Sequence, residues 1–166
     1  MEFTVTETIA ATRDEVLAAL VDEGYYAHLG GGDSTVRAPQ LLSAVRDGAT
    51  VRTSVRYAFA GSLSGPAAMV VDVDKLTWVI DTEYDTDAHA GTVVVVPDHY
   101  ERMLHCRGTL ALEDGGDGST LQTVAGTLEV KVPLVSGSAE QAIYGGFTRQ
   151  LGMEAAAMGE YCASQR

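Results

Sequence analysis

The groups in this chain able to do proton, metal or nucleophile chemistry are four histidines, two cysteines and a few clustered carboxylates, and their spacing decides which chemistry is open. His105 and Cys106 are neighbours in a strand-like run, where adjacent side chains point to opposite faces, so without a bulge they form no Cys–His dyad. His89 and His99 lie beside turn residues and are expected in solvent. His28 follows the pair Tyr25-Tyr26, next to Gly30-Gly31-Gly32. That triple glycine reads as a flexible corner; with no P-loop lysine and no helix after it, it is not a phosphate cradle. No two histidines stand at the i, i+4 helical spacing of a metal site, and Cys106 and Cys162 give neither a zinc spacing nor a disulfide framework. There is no Gly-x-Ser-x-Gly elbow and no dinucleotide fingerprint. The carboxylates gather at Asp72-Val73-Asp74, Asp81 to Asp87 and Glu113 to Asp117, mostly in loops or on outward strand positions. Motif spacing thus supplies no catalytic residue, no metal and no cofactor.

The aromatic residues are the more informative set. Tyr57, Phe59, Trp78 and Tyr84 share inward parities of strand-like runs, and Tyr144 and Phe147 fall on a long terminal helix. With Ile80, Leu128, Ile143 and Leu151 they make the expected lining of an apolar pocket, in which tyrosine hydroxyls would supply the polar contacts. The plain alternative is that the same side chains are ordinary core.

The elements that would position them follow from periodicity. Phe3, Val5 and Ile9 alternate with Thr4, Thr6 and Thr8, a half-buried strand. Thr12 and Glu15 have the spacing of a capping box, and Val16, Leu17, Leu20 and Val21 carry a helix to about Gly24, with a second short helix over Glu23 to Leu29. From Thr35 the period becomes two: a strand to Arg46, the hairpin signal Asp47-Gly48, and a return strand Ala49 to Phe59. Ala67 to Asp74 is expected to be a short helical crossing. Further strands are expected over Leu76 to Tyr84, Thr92 to Val96, Glu101 to Glu113 and Thr120 to Val132, ended by Pro133. Ser138 and Gln141 repeat the capping-box spacing at the head of a helix reaching Cys162, with Ile143, Phe147, Leu151 and Met158 as its apolar stripe. Each interior glycine of that helix (Gly145, Gly146, Gly152, Gly159) should cost roughly 1 kcal/mol of propensity, so close packing must compensate.

Bulk properties exclude several partner classes. At 166 residues the chain is the size of one domain, 1–166, and buries roughly 70% of its unfolded surface. A net charge of −12 repels phosphate backbones and anionic lipid, which argues against nucleic acid and against stable membrane association. No apolar run is long enough to cross a bilayer and no leader precedes the first strand, so a cytoplasmic location is expected.

The order strand, two small helices, six strands, long helix resembles the helix-grip fold of the START and birch-pollen-allergen-like superfamily, SRPBCC. Phe3-x-Val5 followed by Ala11-Thr12-Arg13-Asp14-Glu15-Val16, with Val132-Pro133-Leu134-Val135-Ser136-Gly137-Ser138-Ala139-Glu140, is similar to a bacterial family known as domain of unknown function 2505. The resemblance implies an α+β fold: a curved antiparallel sheet of about seven strands (β-α-α-β6-α) wrapped around a long C-terminal helix. It further implies that a hydrophobic or amphipathic small molecule, such as a lipid, sterol or polyketide, is bound in the central cavity. A cyclase or aromatase, or a chaperone-activator-like interaction module, are the other roles such a fold serves.

Overall fold

The computed structural model describes residues 1–30 and 36–166. Alternation at the start of the chain becomes β1 (Glu2–Ile9), and the Thr12/Glu15 capping box is formed at the head of α1 (Arg13–Leu20). The first helix stops at Val21, short of Gly24, because Asp22 accepts a hydrogen bond from the Gly24 amide and caps a new helix, α2 (Glu23–Leu29). Gly30 closes α2; Gly31, Gly32 and the expected strand start at Thr35 lie outside the described residues.

Six further strands follow: β2 (Val36–Asp47), β3 (Thr50–Phe59), β4 (Thr77–Asp85), β5 (Ala90–Pro97), β6 (Leu104–Gly116) and β7 (Ser119–Val130). The crossing between β3 and β4 is a single turn, α3 (Ala67–Val70), followed by a 3₁₀ turn at Val73–Lys75. All strand pairs are antiparallel in the order β1-β7-β6-β5-β4-β3-β2, so the sheet is a meander whose first strand returns to pair with the last. The long C-terminal helix, α4 (Ser136–Ser164), completes an α+β helix-grip fold.

The sheet curls where side chains are missing. An ideal Cβ on Gly108 would come within 2.3 Å of the Ala125 carbonyl oxygen, and one on Gly126 within 2.2 Å of the Arg107 oxygen, so only glycine allows β6 and β7 to approach this closely.

The α4 helix packs against β1, β7, α1 and α2. Phe3 meets Phe147 edge-on at 5.3 Å, and Gly159 lies so near Ala10 that an added Cβ would stand 3.2 Å from the alanine methyl. Gly145 and Gly146 have no such neighbour, and nothing packed against them offsets their cost in helix propensity. The Ser138/Gln141 capping box does not form. The helix begins at Ser136, whose hydroxyl donates to the Val132 carbonyl (2.7 Å), while Glu140 accepts the Val130 amide (3.0 Å); both tie the helix start to the end of β7. The apolar stripe departs from the expected one at a single position. Phe147, Leu151 and Met158 face the core as expected, but Ile143 is 39% exposed and Tyr144, whose ring lies 6.4 Å from that of Phe3, takes its place.

Candidate functional site

Strand register arranges the inward side chains in rows across the concave face. At one end Tyr57, Trp78 and Pro97 are cross-strand partners, with the Tyr57 and Trp78 rings stacked 6.0 Å apart and 8° from parallel. The next row is Val55, Ile80, Val95, Cys106 and Leu128. Then come Thr53, Thr82, Val93, Gly108, Gly126 and Phe3, and finally Val51, Tyr84, Gly91, Leu110, Val124 and Val5. The last row is closed: Tyr84 is 1% exposed, and its hydroxyl finds no hydrogen-bond partner among the described residues.

The middle of the face is different. Trp78, Ile80, Val93, Val95, Leu104 and Cys106 point inward yet are only half-buried, as are Tyr144, Phe147 and Leu151 on the helix above them. The reason is the placement of α4, which packs on the β1–β7 side of the sheet and leaves the faces of β4 and β5 thinly covered. The result is a groove. Its enclosed part is a void of about 20 Å³ bounded by Phe3, Ile80, Val93, Val95, Cys106, Arg107, Gly108, Val124 and Phe147, room for roughly one water; Arg107 is exposed and, next to inward-facing Cys106, its side chain alternates to the outer face of β6. Cys106 lines this void, and burial pushes its thiol up to about 11, which makes it a poor nucleophile at neutral pH.

A polar group is set into this apolar surface. Glu154 follows Tyr144, Phe147 and Leu151 at spacings of three and four, on the same side of α4. Its carboxyl accepts a 2.9 Å hydrogen bond from the Gln150 amide, and the Tyr57 hydroxyl lies near enough to favour its ionised form. Glu154 is partly buried on the side of α4 that meets Tyr25 of α2 and Tyr57 of β3. Desolvation raises its pKa above the ordinary carboxylate range, and the Gln150 amide and Tyr57 hydroxyl offset that in part. No Lys, Arg or His forms an ion pair with it among the described residues. Two further phenols close the site: Tyr25 donates to the Glu154 backbone carbonyl at 3.3 Å, and Tyr26 donates to the Leu20 carbonyl at 2.8 Å. Burial raises the pKa of Tyr25, Tyr26 and Tyr57 alike, with the nearby Glu154 carboxyl adding to it, so all three stay neutral.

Of the residues expected to line a pocket, Ile80 and Phe147 border the small void, Trp78, Tyr144 and Leu151 are partly buried against the core, and Tyr57 and Leu128 are buried in it, 7% and 3% exposed. Tyr84 sits in the closed row, and Ile143 faces outward. Phe59 folds over its own loop, its ring tip 2.6 Å from where a Gly61 Cβ would stand. The histidines are elsewhere. His105 is on the outer face; His28 lies against Tyr161 with Nε2 3.7 Å from Glu160; His99 is exposed. His89, expected in solvent, is half-buried in its turn with Nδ1 shut off from water. Among the described residues no three His, Cys, Asp or Glu side chains converge to hold a metal ion, and no helix is long and apolar enough to cross a membrane. Sequence reasoning missed Glu154. Its signal was a carboxylate at a three-and-four position of an otherwise apolar helical stripe.

A separate open depression of about 420 Å³ lies at Ala10, Thr12, Glu15, Asp117, Gly118, Ser119 and Arg166. Two of its charged groups are paired with each other, Arg166 bonding Glu15 at 2.9 and 3.1 Å and holding that carboxyl down to about 2.

The fold recurs in solved structures at low identity. Protein TTHA0849 from Thermus thermophilus superposes with a TM-score of 0.66 at 16% identity, with 99% of each chain covered. The Zhui aromatase/cyclase from Streptomyces sp. R1128 gives 0.65 at 13% identity, covering 98% of this chain and 93% of that one. Dicamba monooxygenase bound to 3,6-dichlorosalicylic acid gives 0.58 at 10% identity, covering 99% of this chain and 50% of that one. The fold is that of the START and birch-pollen-allergen-like (SRPBCC) proteins. No curated protein matches the sequence. Residues 4–162 match the model of the family described as protein of unknown function (DUF2505), and the chain belongs to that family.

Proposed function

We propose that residues 1–166 act as one helix-grip domain that binds a hydrophobic or amphipathic small molecule between the sheet and α4. The observation that carries this is the half-burial of inward-facing Trp78, Ile80, Val93, Val95 and Phe147, with a partly buried carboxyl, Glu154, on the same side of α4 as Phe147. A solid core would bury those apolar side chains fully and would exclude an uncompensated carboxylate. The apolar body of the ligand lies against β4, β5 and Phe147, and its polar end reaches Tyr57 and Glu154. The 20 Å³ void is too small for such a molecule, so binding widens the groove by moving α4 outward from β4 and β5. Two unpaired thiols, Cys106 and Cys162, fit a reducing compartment, and we place the protein in the cytoplasm.

Trp78 is the sole tryptophan and borders the groove, so it reports on occupancy. Titration with long-chain fatty acids, sterols and aromatic polyketides should shift its emission for at least one class, and native mass spectra of protein from its own host should show a retained small molecule. Flat titrations throughout, with a ligand-free mass, would remove the proposal. An enzyme of cyclase type is the second reading, because Tyr57 and Glu154 converge on one point as an acid and base would. Turnover of a polyketide-like substrate that Glu154→Gln abolishes would favour it over simple binding.

A further inference from the structure

We infer that the ligand of this groove is an organic cation, a protonated amine carried on an apolar body, with Glu154 as its counter-ion. The inference deepens the binding proposal and rests on it. Glu154 lies on the side of α4 that carries Phe147 and Leu151, and the side chains that bear on its carboxyl are neutral, Gln150 on its own helix and Tyr57 from β3, with Tyr25 of α2 donating to its backbone carbonyl. Among the described residues this carboxylate has a hydrogen bond but no ion pair, and the desolvation cost falls most when a cation arrives with the ligand. The donor set points the same way. The basic residue at the groove, Arg107, is exposed and alternates to the outer face of β6, so an anionic ligand would meet Glu154 without a cation beside it, whereas an ammonium finds one carboxylate and the rings of Tyr57 and Trp78, whose faces attract positive charge. The net charge of −12 draws cations toward the whole surface and repels anions.

The test uses three probes with one apolar body and different ends: naphthylmethylamine, naphthylmethanol and naphthoic acid, titrated calorimetrically into the full chain near neutral pH. The amine should bind about tenfold or more tightly than the alcohol, and the acid most weakly. In Glu154→Gln the amine should lose that advantage while alcohol affinity stays within about twofold. The wild-type protein supplies an independent check should the variant fold poorly. As pH falls through the raised pKa of Glu154 the amine's advantage should vanish and alcohol binding should persist, the phenols being neutral throughout. Equal binding of amine and alcohol, tighter binding of the acid, or an amine preference that survives in Glu154→Gln would overturn the inference and leave the groove standing as a binding site. Failure of all three probes, with Trp78 emission flat for every hydrophobic class, would remove both.

Discussion

Phe147→Ala separates a groove wall from solid core. The ring meets Phe3 edge-on at 5.3 Å on one side and borders a 20 Å³ void on the other, and the residue is half-buried. Truncating a fully buried phenylalanine costs about 3–5 kcal/mol. Half-burial brings the transfer part to about 1–1.5 kcal/mol, and loss of the aromatic pair adds about 1 kcal/mol. The void side contributes little, since contacts there are already missing. The sum is about 2–2.5 kcal/mol. Leu112 is the internal standard: it is 0% exposed, and Leu112→Ala should cost about 4 kcal/mol although the side chain is smaller. Urea unfolding of both variants reads the difference as a shift in midpoint at unchanged slope. Titration of a hydrophobic probe should be altered by Phe147→Ala and not by Leu112→Ala. A cost for Phe147→Ala equal to or above that of Leu112→Ala, with probe binding untouched, would show that the ring sits in solid core and that the groove does not exist.

Three further outcomes are expected. Because the folded-state pKa of Glu154 is raised, the wild type binds its proton more tightly when folded, and this stability is lost as pH rises from the ordinary glutamate range through the raised value. Glu154→Gln should therefore gain on the wild type over that window, and melts showing a pH-independent gap would refute the burial argument. Gly126→Ala drives a methyl into the Arg107 carbonyl and should destabilise by about 1–3 kcal/mol, seen in the urea midpoint; a neutral result would mean the β6–β7 curl is not set there. Cys106, its thiol raised to about 11, should alkylate slowly at neutral pH and speed up only in strong alkali; rapid labelling mapped to Cys106 by mass spectrometry at neutral pH would contradict its burial.

The element order was legible in the sequence because it rests on local chemistry. Alternation of Phe3, Val5 and Ile9, the Thr12/Glu15 box, the Asp47-Gly48 turn and the proline after β7 each act within a few residues, and each appears in the structure where its pattern places it. Strand parity likewise turns Tyr57, Trp78, Ile80 and Leu128 inward, since a period of two leaves only two faces. What parity cannot say is how far along the face a residue lies. Trp78 and Tyr84 share a strand face, yet one borders the groove and the other is sealed in the closed row, a difference created by where α4 crosses the sheet. The facing of that helix was equally out of local reach. Its apolar residues are numerous enough to fit neighbouring stripes, and only contact with Phe3 and Ala10 puts Tyr144 inside and Ile143 out. The same packing sets Glu154 beside Tyr25 of α2 and Tyr57 of β3, phenols from distant parts of the sequence. A carboxylate on a helix is ordinary until tertiary packing takes its water away, and the chemistry of this site begins with that step.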